Sequence, residues 1–287
     1  MTETRPPTRD RKISLVAPVV IGAIVVLLLG ALVLFNPAAR SPAPEPKPPA
    51  PAAEAPAADS PPPRVGPLTR RELIEGAALA TAAFAAGSGP SGDLAEMKGR
   101  AFLLRIPFGC EGPQASPGSA QVFVEQDPAG KAIKLVARPA NWTALPMLQD
   151  FSRDGAPEAV EGFWLARPWS DSETCPPRRD IEAPATPTPA ATQTLGLARV
   201  FEPAGSRVLR RDGRAYEFVR KSTGEPQSVA ASYRLVLEGR IATFPDGRTV
   251  RCAAESPDHR PICLYAVTFD RVAFETADGQ SLAEWRE

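Results

Sequence analysis

Hydrophobic and polar positions alternate along this chain in three rhythms, and each predicts a different kind of segment. The first is continuous. Ile13 to Phe35 reads ISLVAPVVIGAIVVLLLGALVLF, an apolar run without a single charge. At 1.5 Å rise per residue it is long enough to cross a hydrocarbon core of ~30 Å with some tilt. Pro18 sits near its start, where a missing helix hydrogen bond costs little. A cleaved signal peptide would have a shorter apolar region and a small-x-small cleavage site. This run is longer and ends in LVLFNPAARSP, which predicts an uncleaved signal anchor. Arg5, Arg9, Arg11 and Lys12 precede the span, whereas only Arg40 and Lys47 follow it closely. The positive-inside rule then puts residues 1–12 in the cytoplasm and everything after residue 35 outside. In a bacterium that places the C-terminal domain in the periplasm or at the cell surface. No ionisable residue lies within the span, so it reads as a passive anchor rather than an ion pathway.

The second rhythm is helical. LTRRELIEGAALATAAFAAG opens with Thr69-x-x-Glu72, a capping-box pattern, and repeats Leu73, Ala77, Ala80 and Phe84 at helical spacing with Ile74 beside them. Gly87 is the expected stop, giving a helix of about four turns.

The third rhythm has period two. In AFLLRIPFGC, residues Phe102, Leu104, Ile106, Phe108 and Cys110 share a face, and Pro107 marks an edge strand. AQVFVEQDPAGKAIKLVARP reads as a hairpin turning at Asp127–Gly130. RIATFPDGRTVRC repeats the device at Pro245-Asp246-Gly247, and RVLRRDGRAYEFVRK at Asp212-Gly213. SYRLVLEG alternates Tyr233, Leu235 and Leu237. CLYAVTFDRVAFE alternates Cys263, Tyr265, Val267 and Phe269, then slips to Val272 and Phe274, which predicts a β-bulge near Asp270-Arg271. The expected fold is mainly β (α+β): one helix followed by eight to ten antiparallel strands in hairpins, as a sandwich or partly open barrel. It occupies residues 67–287. A Pro-rich stretch within Cys175–Thr194 is either a loop or a subdivision near 176–194.

Between anchor and domain, residues 36–66 follow no rhythm. Eleven of these 31 positions are proline and nine are alanine. Such a segment buries no core and favours extended polyproline II, so it reads as a disordered spacer reaching on the order of 90 Å. Anchor, Pro-rich spacer and exported domain together resemble the layout of TonB-type proteins. The resemblance covers layout alone and would imply a transducer, although the span lacks the polar residues that energy coupling needs.

Charge adds one exclusion. Lys and Arg total 33 and so do Asp and Glu, which argues against a nucleic-acid binder. Arginines make up 27 of the 33 basic residues, a bias expected of a GC-rich bacterial genome. Four cysteines all follow the span, on the side where disulfides persist. TVRC and CLYAV read as adjacent antiparallel strands, which pairs Cys252 with Cys263 and, by elimination, Cys110 with Cys175.

Candidate chemistry is sparse. The single histidine, His259, lies between Cys252 and Cys263, but without CxxC or HxxxH spacing it makes a poor metal ligand. No GxSxG or SxxK supplies a nucleophile. GSGPSGD (Gly87–Asp93) lacks a P-loop lysine and reads as a linker. Asn141-Trp142-Thr143 is a formal sequon without meaning in a bacterium. No cofactor is implied. One charged cluster stands out: Arg207, Arg210, Arg211 and Arg214 around the Asp212-Gly213 turn, with Arg220 and Lys221 at its far end. It reads as a solvated hairpin tip or as a ribbon facing an acidic protein, an anionic envelope glycan or phospholipid headgroups. The function expected is that of a bitopic inner-membrane protein presenting a disulfide-stabilised interaction module, a scaffold or sensor of the envelope. The alternative is an envelope hydrolase or glycan-modifying enzyme using carboxylates that the sequence does not single out.

Overall fold

The computed structural model describes residues 66–89, 92–114, 118, 120–149, 151, 156–177, 194–221 and 232–287. The leader, the expected anchor and the linker up to Val65 lie outside the described residues, as does 178–193, most of the Pro-rich stretch. Among the described residues no helix is long and apolar enough to cross a membrane.

Helix α1 (Arg70–Ala85) is capped as its sequence predicts. The Thr69 backbone N–H donates to Glu72 Oε2 at 2.7 Å. That bond, ahead of the other contributions, holds the Glu72 carboxyl below the usual carboxylate range. Leu73, Ala77 and Ala80 are buried, but Phe84 is 41% exposed, contrary to the expected stripe. It borders a shallow depression against Val250 and Cys252 without being closed over. Gly76 is what brings α1 close. A Cβ there would stand 2.3 Å from the Tyr265 hydroxyl, which donates to the Leu73 carbonyl at 2.9 Å. A short helix α2 (Gly92–Glu96) follows.

Among the described residues eleven strands follow in two sheets. They are β1 (Ala101–Phe108), β2 (Val122–Gln126), β3 (Ala132–Ala137), β4 (Ala140–Asn141), β5 (Ala159–Trp164), β6 (Leu195–Phe201), β7 (Tyr216–Lys221), β8 (Tyr233–Ile241), β9 (Val250–Ala253), β10 (Ile262–Thr276) and β11 (Ser281–Arg286). The large sheet runs β1-β8-β10-β6-β5-β4, with β9 and β11 also paired to β10; the small sheet runs β2-β3-β7. Mainly β is therefore right. The all-antiparallel expectation is not, because β6 and β10 pair in parallel from Cys263↔Leu195 to Val267↔Arg199.

One face of the large sheet, α1 and the small sheet enclose a single core. Phe102, Leu237, Tyr265 and Phe274 meet Leu73 of α1 and Val124, Ile133 and Leu135 of the small sheet in it. A second, smaller cluster on the opposite face gathers Trp142, Val160, Phe244 and Leu264. Trp142, the middle residue of the formal sequon, is thus a core residue.

Hairpin expectations meet mixed outcomes. β2 and β3 pair as predicted, with Gly130 at φ +69. Pro107 does lie in an edge strand, since among the described strands β1 pairs only with β8. Cys110, however, lies past the end of β1, because Gly109 at φ +71 turns the chain first. The turn at Asp246-Gly247 forms, yet β8 and β9 do not pair with one another. Both pair with β10, β8 at Val267–Thr276 and β9 at Ile262–Tyr265. At fifteen residues β10 is long enough to take both along one edge, and the turn is an excursion between them. The phase slip in β10 is the predicted bulge: the register against β8 shifts between Phe269 and Arg271. Asp212 and Gly213 both have positive φ, as a two-residue turn demands. No hairpin follows, because β7 pairs with β3 instead.

Candidate functional site

The predicted arginine cluster becomes a strap laid across β5 and β6. Arg207 and Arg210 both reach Glu158, at 2.6 and 2.9 Å. The backbone N–H groups of Arg211 and Asp212 donate to the two carboxylate oxygens of buried Glu161, each at 2.8 Å. Glu161 stands opposite Arg199 in the β5–β6 register. The buried Arg199 guanidinium lies over the Phe201 ring and reaches Glu287 at 2.7 Å. Arg211 itself covers the Tyr216 ring at 4.5 Å and donates to the Ala215 carbonyl. Arg214 is exposed and folds back on the Arg211 carbonyl. Arg220 and Lys221 end β7, both exposed, on the other side of Tyr216 from this cluster. The structure therefore brings Arg207, Arg210 and Arg211 together but commits them to their own domain.

The cysteines form two bonds, Cys252–Cys263 and Cys110–Cys175, with Cα–Cα distances of 4.1 and 5.5 Å. Cys252 and Cys263 are facing residues in the β9–β10 register. Their thiols are spent on one another, so neither is available as a metal ligand beside His259. His259 is exposed on the intervening loop, with Nδ1 2.7 Å from Ser256 Oγ.

The most unusual arrangement is one the sequence does not announce. Arg70, the first residue of α1, is 2% exposed. Its Nε donates to the Ser170 carbonyl at 2.8 Å, and Nη2 reaches the carbonyls of Ala166 and Arg167. Burial, followed by the neighbouring Arg167 charge, lowers its pKa below the ordinary arginine value. Arg167 holds φ +54, a left-handed conformation that a non-glycine residue adopts at a cost, and accepts the turn bond from Ser170 N–H at 3.0 Å. At its far end the same loop is held by Cys175. There the Glu173 carboxylate accepts from the Arg105 backbone N–H at 3.2 Å, on the free edge of β1. Leu68 covers the start of that edge, donating to Ala101 and accepting from Leu103.

What this fixed loop displays is Trp169, 60% exposed. The other tryptophans, Trp142, Trp164 and Trp285, are buried or half-buried. Beside the indole lies a depression of about 360 Å³ lined by Arg71, Ile74, Glu75, Trp169 and Asp171. A second, of about 390 Å³, adjoins it through Arg71 and Asp171. A third, of about 280 Å³, adjoins through Ile74 and continues past Ala78, Ala82 and Pro168 to Arg260. Arg71 and Asp171 pair at 2.6 Å across the start of this track. Arg70 escaped sequence reasoning because a first-turn arginine normally faces water; its burial depends on carbonyls about a hundred positions away. A weak signal was present in RPWSD, a tryptophan outside any alternating run.

No protein-family model matches the chain, and no curated protein or solved structure matches it.

Proposed function

We propose that the chain is a bitopic inner-membrane protein whose disulfide-bonded, β-rich domain is exported and acts as an interaction module of the cell envelope, with the Trp169 face as its contact surface. The observation that carries this reading is the display of Trp169. A buried arginine, a left-handed backbone residue and a disulfide together hold one large aromatic side chain in solvent, where no folding benefit accrues to it. Exposed, rigidly held tryptophans of this kind are the usual centres of binding energy. The Cys110–Cys175 and Cys252–Cys263 bonds support an oxidising compartment. The charge-free run 13–35 and its basic leader support the anchor and its orientation. The Pro/Ala-rich segment 36–66 serves as the spacer between them.

Fusions to Glu287 test the topology. Alkaline phosphatase, which needs an oxidising compartment, should be active there, and a cytoplasm-only fluorescent reporter should be dark. Trp169→Ala should lower in-cell crosslinking of the full chain to its envelope neighbours while leaving its thermal midpoint unchanged. A bright cytoplasmic reporter would refute the topology, and unchanged crosslinking would refute the contact surface.

A further inference from the structure

We propose that the Trp169 face is a binding site for a neutral linear oligosaccharide, whose sugar rings stack on the indole while Arg71, Glu75 and Asp171 take the hydroxyls. This rests on the reading of that face as the contact surface. The argument begins from ligand chemistry. A pyranose ring presents a flat C–H face and a rim of hydroxyls that both donate and accept. Its counterpart is an exposed aromatic plane bordered by charged side chains of both kinds. The central depression holds that set: the Trp169 indole, the carbons of Ile74, one guanidinium and two carboxylates. Donors and acceptors of fixed geometry, rather than apolar area alone, set specificity in such sites.

Charge offers a polyanion no strong excess to meet: Arg70, Arg71, Arg105 and Arg260 stand along the track against Glu75, Asp171 and Glu173. Arg71 is outnumbered by Glu75 and Asp171 in the central depression, and in the adjoining one Arg70, Arg71 and Arg105 face Asp171 and Glu173. Arg71 and Arg105 each already contact an acid, at 2.6 and 3.7 Å, and Arg70 is spent on loop carbonyls. A peptide docking as an added strand needs unpaired backbone groups. The nearest strand edge, that of β1, is taken by Leu68 at Ala101–Leu103 and by Glu173 at Arg105, and Pro107 beyond them has no N–H to offer. What remains is recognition by side chains, which suits a hydroxyl-rich ligand. From Arg71 to Ala85 the track runs about 21 Å at 1.5 Å per residue, longer than a single sugar ring, so the ligand is an oligomer. Arg70 and the Cys110–Cys175 bond fix the platform beforehand, and little ordering entropy is lost when it is occupied.

The test uses the purified full chain in detergent, with disulfides intact, titrated separately with N-acetylchitotetraose, cellotetraose and maltotetraose. Binding is followed by tryptophan emission and calorimetry. One of the three should bind, and Trp169→Ala should weaken it by about tenfold or more. Asp171→Asn should weaken it too, whereas Arg240→Ala, on an exposed strand residue away from α1, should not. Binding of the chitotetraose alone identifies an amino-sugar polymer as the source; binding of a glucan identifies a glucose polymer. Absence of binding by all three overturns the proposal, as does equal binding by Trp169→Ala. A photocrosslinker at position 169 that captures a protein in cells also overturns it, while leaving the interaction module standing. A cytoplasmic topology result does the reverse, since sugar binding is measured on the purified chain.

Discussion

At the scale of single residues, Arg70 shows how one side chain ties distant parts of the chain together. Its guanidinium supplies planar donors to the carbonyls of Ala166, Arg167 and Ser170, and no other described side chain reaches all three. A lysine presents the same charge without the fork, and methionine a shorter unbranched stem without donors. Arg70→Met strands those carbonyls in a poorly hydrated setting. The expected loss is roughly 2–4 kcal/mol of stability, read from the denaturant midpoint at unchanged slope. The same variant should make the 166–173 loop sensitive to protease under native conditions, while the rest of the domain stays resistant. A loop as resistant as in the parent would show that Arg70 is not what holds it.

At the scale of elements, the loop has a second fastening at Cys175. The Cys110–Cys175 bond spans 65 positions and Cys252–Cys263 only 11. Chain entropy therefore assigns roughly 4 kcal/mol to the first and roughly 3 to the second. Replacing Cys110 and Cys175 by serine should lower the denaturation midpoint more than replacing Cys252 and Cys263, and should weaken contacts made through Trp169; the reverse order would show that strand pairing, rather than loop closure, dominates. Which elements the sequence revealed follows the same distinction between local and distant. Period two located the buried faces of β1, β8 and β10, and the phase slip located the bulge, because both depend on neighbours a few residues away. The helix cap was equally legible. Strand partners were not. Asp212-Gly213 makes its two-residue turn, but Glu161 of β5 captures that turn's backbone and β7 goes to β3. Asp246-Gly247 makes its turn too, but β10 is long enough to take both flanking strands. The contact surface was least legible, since it depends on a buried Arg70 and a left-handed Arg167 that leave no trace in periodicity.

At the scale of the whole molecule, the small sheet is joined to the large one through a core in which Tyr216 is central. Its ring meets Phe163 of β5 at 6.3 Å and Trp285 of β11 at 5.0 Å between centroids, and its hydroxyl donates to the Leu209 carbonyl of the strap at 3.0 Å. Burial, the largest cause, pushes its pKa up to about 12. The neutral phenol is what this core accepts, whereas in the unfolded chain the phenol ionises near its ordinary value of about 10. The folded pKa is the higher, so this contribution is fully present below about pH 10 and is lost as the pH rises from there through about 12. Tyr265, raised further by burial alone against α1, acts in the same direction. From Tyr216 alone the loss should approach roughly 2–3 kcal/mol once the pH passes the folded value. The measurement is unfolding free energy at pH steps between 9 and 12, with the disulfides monitored. Tyr216→Phe should be less stable than the parent at neutral pH, by roughly 1 kcal/mol for the lost hydrogen bond. Its stability should also fall less steeply across the alkaline range, so that the two curves converge and then cross as the pH nears the folded value. Parallel curves would mean that the strap and the small sheet open locally and admit water to Tyr216 before the domain unfolds. In that case the join between the sheets, rather than the core of the large sheet, is where this molecule comes apart first.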